Sequence, residues 1–400
     1  MTSTNASLRS ARERTASKLH AGECLSRQEL AEAVNTHLWH QHAQRVELDG
    51  HYIAKLERGV IRWPNSRYRA ALRAVLGAGD DAELGFRAPR RGVVPVPGRL
   101  VTPWDVDQVN QAARTIVRGQ HQYGGWWMRD AALAQLRSSA GLLDGECPAE
   151  LARPLRQALG DFAHVCAFMC FDTGEHDEAR GLFDLALRYA DLAGDEGARA
   201  NALASLSRQA TWLGRPDEGL TFADQALVAA DRLTAARRAM LFAARARALG
   251  ALGRVEDTVR AVGLADEHMS HADPELEPPS MRFYDARQHS GDTGEALAYL
   301  AALGHRVDDA RTRMRVAFDD GTDSYARSRL LAQVKLASLA MTTGEPVEGA
   351  LLGVAAAQES GSVRSDRVLD SFRMLDGHAR RYRGLGAVAE LRDELRRTCG

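Results

Sequence analysis

Apolar and polar positions near the start of the chain alternate with the period of a short helix. In LSRQELAEAVN, residues 25–35, an apolar stripe recurs at helical spacing. The stripe consists of Leu30, Ala33 and Val34. Ser26 followed three residues later by Glu29 is a capping box, so the pattern predicts that a helix begins here.

A second short helix is predicted over residues 49–58. Asp49 is a suitable N-cap, and Leu48 before it can pack against Ile53 as a hydrophobic staple. The helix is expected to run to about Arg58 and to stop at Gly59. Its inward stripe is Ile53 and Leu56, with Val60 just past the end, and its opposite face is short, open and cationic. That face consists of Gly50, His51, Ala54, Lys55 and Arg58.

After residue 103 the pattern is helical and repetitive. Five glycines stand 40, 39, 38 and 53 residues apart, and each has an acid at the fourth following position and a small residue at the fifth. The glycines are Gly174, Gly214, Gly253, Gly291 and Gly344; the acids are Glu178, Glu218, Asp257, Glu295 and Glu348. Each unit is therefore predicted to be a helical hairpin: the glycine ends one helix, the acid favours the start of the next, and the small residues allow the two helices to approach closely. Gly384 is expected to open a degenerate last unit.

Between these regions, RAPRRGVVPVPGRL holds three prolines and two glycines without helical period, which indicates a linker. The predicted domains are therefore 1–86, a linker at 87–103, and a repeat domain at 104–400. A chain of 400 residues, 45% apolar but only 6% aromatic, fits two or more helical domains.

The charges are divided unevenly between these regions. Residues 1–91 hold 15 Arg/Lys and 10 Asp/Glu, a net of +5, whereas the remainder has a net of −6. A basic block of this size suits a phosphate partner, although it is also compatible with ordinary scatter. Five scattered cysteines, no signal-peptide core and no membrane-length apolar run predict a cytoplasmic protein.

The stretch YIAKLERG resembles the recognition-helix signature of the Cro/C1-type (XRE) helix-turn-helix regulators, and the run from residue 56 to 86 resembles a large bacterial subgroup of them. The resemblance implies that Gly50, His51 and Lys55 read bases and that Arg27, at the start of the first motif helix, holds a phosphate. Glu57 is expected to be structural, because a carboxylate facing phosphates would repel them. The long NTHLWHQHAQRVE segment departs from a compact motif; the first helix can run on through Trp39 and His42, and the segment can widen the DNA contact, pack on the repeat domain or form a dimer contact.

The repeats resemble tetratricopeptide units more than any other family. The expected fold is all-α: an N-terminal helix-turn-helix bundle followed by a right-handed superhelix of tetratricopeptide-like hairpins, whose concave groove binds a peptide, a small molecule or a protein. Tyr123, Trp126 and Trp127 beside a Gly-Gly break are candidate ligand-binding residues, with packing between helices as the alternative.

Two groups of residues invite a metal interpretation, which we do not favour. His37, His40 and His42 lack a cysteine or carboxylate at ligand spacing, and a solvated helix end is the expected alternative. Cys166 and Cys170 near His164 and His176 are expected to form a buried face of small thiols. We expect no metal and no cofactor.

The sequence therefore predicts a DNA-binding transcriptional regulator whose repeat domain dimerises and binds an effector. Its expected partners are double-stranded DNA carrying an inverted repeat, a second copy of the chain, and a peptide or small-molecule effector; no membrane partner is expected. The alternative is an adaptor in which the repeats recruit a protein and the N-terminal domain does not read DNA. No phosphate loop, nucleophile elbow or HExxH motif occurs, so we expect no enzyme.

Overall fold

The computed structural model describes residues 4–17, 19–20, 22–42, 48–86, 100–277, 281, 283–318 and 326–399, except for the side chains of residues 40–42, 66, 121–122, 127 and 362. The chain divides into two compact units, Met1–Pro95 and Val96–Gly400. Regular structure in the described parts is α-helical, with short 3₁₀ turns and two isolated β-bridges but no strand. The predicted all-α class is confirmed. None of the described helices is long and apolar enough to cross a membrane.

The described part of the first unit contains four helices. They are α1 (Ala6–Arg14), α2 (Arg27–His42), α3 (Gly50–Glu57) and α4 (Ser66–Leu76). The predicted capping box is present: the Ser26 hydroxyl accepts from the Glu29 amide, and the Glu29 carboxylate accepts from the Ser26 amide. The Asp49 carboxylate likewise accepts from the Tyr52 amide at the start of α3.

The core of the first unit differs in detail from the predicted stripes. Leu30 and Val34 are fully buried, but Ala31 is buried with them and Ala33 is only half-buried. Ile53 and Leu56 are also fully buried, whereas Val60 is 63% exposed. Gly59 has a positive φ and turns the chain shortly after α3. The side chain of Val60 therefore does not continue the buried stripe of Ile53 and Leu56.

The residues after α3 close the first unit. Trp63 lies under the Arg69 guanidinium at 3.8 Å, and Tyr68 meets Tyr52 edge to face. The terminal Leu-Gly-Phe places Leu84 and Phe86 in the core. Residues 87–99 of the predicted linker lie outside the described residues. Residues 100–103 already belong to the second unit, since Leu100 bridges to Glu146 and α5 begins at Pro103.

The second unit is a series of helix pairs. Its helices are α5 (Pro103–Tyr123), α6 (Arg129–Ala140), α7 (Ala149–Asp172), α8 (His176–Ala193), α9 (Glu196–Trp212), α10 (Pro216–Leu227), α11 (Ala235–Ala251), α12 (Val255–Ser270), α13 (Ala286–Ala301), α14 (Val307–Phe318), α15 (Ala326–Thr342), α16 (Pro346–Glu359), α17 (Asp366–Ala379) and α18 (Gly386–Cys399). From α7 onward each odd-numbered helix packs against the next even-numbered one, which confirms the predicted hairpins. Gly384 precedes the last helix, as predicted.

Four of the five repeat glycines behave as the pattern predicts. Gly174, Gly214, Gly253 and Gly344 all have positive φ, and the acids four residues later lie in the first turn of the following helix.

The fifth glycine assignment is wrong. Gly291 lies inside α13, where it packs close to Ala317 of α14, and Gly304 is the glycine that joins α13 to α14. The connection after Gly304 is one residue longer than the others and includes Arg306 at a φ of 55°. With that one-residue shift, Asp309 is the acid of this unit and Ala310 is the small residue that follows it. Glu295 consequently belongs to the middle of a helix and not to its start.

The second unit also brings its first helices against its last ones. Helix α5 contacts α15, and α7 contacts α17. The helix-pair series therefore encloses the inner faces of α7, α9, α11, α13, α15 and α17, where the sequence predicts a concave groove.

Candidate functional site

The candidate nucleic-acid interface is the outward face of α3 in the first unit. His51, Lys55 and Arg58 are exposed there, and Ala54 and Gly50 are half-buried between them. The helix is amphipathic because Ile53 and Leu56 occupy its opposite side, so the outward side chains are presented together on one short cationic surface.

The carboxylate of α3 points away from this surface. Glu57 is 4% exposed, and it accepts hydrogen bonds from Arg12 of α1 and Arg27 of α2, each at 2.7 Å. Arg12 also donates to the Leu25 carbonyl. Glu57 thus fastens three helices together, in agreement with the prediction that it is structural, and the surface keeps its positive charge.

Two other carboxylates of the first unit also have partners within that unit. Asp81 pairs with Arg69 and Arg73. The carboxylate of Glu29 accepts from the Ser17 hydroxyl and the Ser26 amide, and these hydrogen bonds lower the pKa of Glu29 to about 2. Within the described part of the first unit, no carboxylate forms an ion pair with the outward residues of α3.

Two predicted DNA-binding residues have structural partners. Arg27 is half-exposed, but its Nε is committed to Glu57, so only the rest of its guanidinium faces outward. The amide of Gly50 donates to the Gln28 side chain at 2.9 Å, and a Cβ at position 50 would lie 3.2 Å from that side-chain oxygen. Gly50 therefore lets α2 and α3 approach closely, and its amide is not available to a ligand in this arrangement.

The long segment after α2 is partly outside the described residues. Helix α2 does run on to His42, as the sequence allows, and Trp39 is 52% exposed near its end. The side chains of His40 and His42 lie outside the described residues, as do residues 43–47.

The predicted aromatic site of the second unit lies where its first and last helices meet. Tyr123 ends α5, and its carbonyl accepts from the Arg364 amide; the Trp126 indole lies 3.4 Å from an oxygen of Asp366. Both aromatic side chains are partly exposed, while the side chain of Trp127 is outside the described residues. We call this junction, residues 123–126 with residues 364–366, the seam.

The Gly-Gly break is required by the close approach at the seam. A Cβ on Gly124, whose φ is 86°, would lie 2.2 Å from the Arg364 carbonyl oxygen, and one on Gly125 would lie 2.6 Å from that of Met169. The Gly125 amide donates to Asp172, whose other oxygen accepts from the Ser365 hydroxyl. One fully buried carboxylate therefore joins both sides of the seam.

The second metal candidate of the sequence is a buried helix face. Cys166 and Cys170 are fully buried on α7, and burial raises the pKa of the Cys166 thiol to about 12. The ring of His164 packs edge to face against Phe168 and Phe183, and its Nε2 lies 2.8 Å from the Ser205 hydroxyl. The described residues contain no group of three or more side chains placed to hold a metal ion.

No family model, curated protein or solved structure matches this chain, so the comparisons assign it to no family.

Proposed function

We propose that the protein is a DNA-binding transcriptional regulator. In this proposal α2 and α3 act as a helix-turn-helix, α3 enters the major groove, and Lys55 and His51 meet base edges while Arg58 and the free part of Arg27 meet the backbone. The observation that carries it is the charge arrangement on α3, whose cations face outward without carboxylate partners among the described residues while Glu57 is turned inward.

The second unit is proposed to dimerise and to respond to an effector. A single helix-turn-helix of this size contacts one half-site, and two copies held together would read an inverted repeat with the affinity that regulation requires. We place the protein in the cytoplasm, associated with the nucleoid.

The test is selection of DNA sequences by the full chain, followed by titration of the enriched sequence. Lys55→Ala is expected to weaken specific binding by about 1–3 kcal/mol, because it removes one cationic contact in the groove. Arg9→Ala is the matched control: it removes the same charge from the same unit, but Arg9 is paired with Glu13 on α1. Failure of the full chain to enrich any sequence would contradict the proposal and favour the adaptor alternative.

Oligomeric state is measured on the same material. Sedimentation of the full chain, alone and with the selected site, is expected to show a dimer and a complex of two chains per inverted repeat. A monomer that binds one half-site with the same affinity would contradict the dimer part of the proposal.

A further inference from the structure

A group of largely buried charged side chains lies on the inner face of the second unit. Its members stand on the six odd-numbered helices from α7 to α17. Its cations are Arg208, Arg247, Arg327, Lys335 and Arg367, and its carboxylates are Asp172, Asp292 and Glu295. We call these eight residues the interior cluster. Five cations against three carboxylates leave an excess of two positive charges in a region that is largely withdrawn from water.

Two of the carboxylates are fully occupied by cations. Asp292 pairs with Arg208 at 2.8 Å and with Arg247 at 2.7 Å, and Glu295 pairs with Lys335 at 2.6 Å. Burial by itself raises the pKa of both carboxyls, but these cations lower it below the ordinary value. These two carboxylates are thus already matched to three of the cations.

The third carboxylate, Asp172, accepts hydrogen bonds from uncharged groups at the seam. The two oxygens of Asp172 accept from the Gly125 amide and the Ser365 hydroxyl at the seam. Arg327 approaches Asp172 only to 3.5 Å, and neither the Nε nor the Nη1 of Arg327 forms a hydrogen bond.

Arg367 forms no ion pair with a carboxylate of the described residues, although Asp172 and Glu295 attract it from beyond ion-pair distance. It is 6% exposed, its guanidinium carbon lies 4.6 Å from the centre of the Phe171 ring and 5.1 Å from that of Trp212, and its Nε has no hydrogen-bond partner. Burial lowers the pKa of Arg367 to about 10; attraction by Asp172 opposes this shift, and repulsion from Arg327 and Arg208 adds to it. Stacking on two rings contributes some attraction, but a buried charge ordinarily also has hydrogen bonds.

We propose that Arg367 and Arg327 form a binding site for the anionic group, phosphate or carboxylate, of a small ligand whose remainder lies against Phe171 and Trp212. A guanidinium presents a planar fork of donors that suits either oxyanion, and two such groups beside aromatic rings offer charged and apolar surface together. The bound anion would neutralise the excess charge that the protein leaves unmatched.

The seam is the entrance that this arrangement offers. Arg367 follows directly on Asp366, the partner of Trp126, and on Ser365, the partner of Asp172. Separation of the seam would break these few hydrogen bonds and uncover Arg367. The aromatic residues that the sequence marks as ligand-binding, Tyr123 and Trp126, thus lie at the edge of the site and not at its centre.

Hydrogen exchange of the full chain, read by mass spectrometry on α7 and α17 peptides, tests this site with inorganic phosphate and acetate as probes at constant ionic strength. Either probe is expected to slow exchange saturably, by about tenfold when its concentration is ten times its dissociation constant. Arg367→Gln should abolish the effect, and Arg260→Gln, which removes an arginine 69% exposed, should preserve it.

The probes and variants separate the outcomes. Protection by phosphate alone assigns a phosphate ligand, protection by acetate alone assigns a carboxylate, and protection by both assigns the shared chemistry. Absence of saturable protection in the wild-type chain would overturn the site, even if Arg367→Gln failed to fold; equal protection in the Arg367→Gln variant would also overturn it. The inference deepens the proposed effector role of the second unit, but the assay contains no DNA, so its failure is distinct from a failure of DNA binding.

Discussion

Replacement of Glu57 by glutamine removes the carboxylate that Arg12 and Arg27 share in the first unit. The side chain of Glu57 is 2% exposed and that of Arg12 is 8% exposed, whereas that of Arg27 is 45% exposed. The substitution keeps the size of the side chain, so its effect comes from charge. A glutamine keeps one acceptor oxygen but turns an NH2 donor towards one of the two arginines, and it leaves the buried Arg12 guanidinium without a buried counter-charge; the Leu25 carbonyl and the partly exposed Glu13 remain as partners.

Breaking a buried ion pair by removing one partner costs about 3–5 kcal/mol. A folded region of this size has a free energy of unfolding on the order of 5–14 kcal/mol, so Glu57→Gln is expected to remove a large part of it. Arg27→Gln is the matched comparison, because it removes the exposed partner and leaves the Glu57–Arg12 pair intact. Its expected cost is about 1 kcal/mol or less.

The assay is hydrogen exchange of the full chain, read on peptides from α1 and α3. Because each 1.4 kcal/mol changes an equilibrium constant about tenfold, Glu57→Gln should accelerate exchange roughly a hundredfold or more, and Arg27→Gln less than about tenfold. Peptides of α9 and α11 in the second unit serve as an internal control. Equal acceleration by the two variants would refute the reasoning, since it would mean that the buried Arg12 contributes nothing beyond an exposed pair.

Three further predictions concern the helix ends and interiors. Gly214→Ala should destabilise the second unit by about 1–2 kcal/mol, since Gly214 has a φ of 74° with no neighbour within 4 Å, so only backbone strain acts. Gly263→Ala should instead stabilise α12 by about 0.5–1 kcal/mol, because Gly263 also has open space around it but lies in an ordinary helix interior. Calorimetric melting of the two variants checks both predictions. If both substitutions changed the melting temperature in the same direction, the explanation would be contradicted. Because the pKa of Glu29 is low, the stability that its carboxylate contributes is present above the ordinary pKa of 4.5 and is lost as the pH falls towards 2. In the wild-type chain, hydrogen exchange at the start of α2 should therefore become faster over this pH range. If a Glu29→Gln variant showed the same pH-dependent increase, Glu29 would be excluded as its cause.

The sequence predicts local features of the first unit well, because they depend on neighbours in the chain. Several features follow from spacing over a few residues: the caps at Ser26 and Asp49, the burial of Ile53 and Leu56, and the end of α3 shortly before Gly59. The family resemblance and the repulsion between a carboxylate and phosphates also predict a structural Glu57. They do not identify its partner Arg12, which lies 45 residues away and whose position depends on how α1 packs.

The second unit shows how a local pattern can mislead. Gly291 has an acid four residues later, as the true connecting glycines have, and short-range spacing does not distinguish a glycine that ends a helix from one that allows close packing inside it. That assignment makes Glu295 a residue at a helix start and hides its burial between Lys335 and Arg247. The sequence contains one signal for the interior cluster. Arg208 and Arg247 each stand six residues before a connecting glycine, so an arginine occupies the same position in two repeats.

The contact of α5 and α7 with α15 and α17 changes how the second unit should unfold. In an open array each repeat touches only its neighbours, so the terminal repeats fray and the structure melts progressively from its ends. Here the terminal helices are held by each other, through Asp172 and the residues around it, and the interior ion pairs connect helices that are not adjacent in the chain. Loss of the last hairpin would therefore weaken the first one as well, and the unit is expected to melt as one cooperative body.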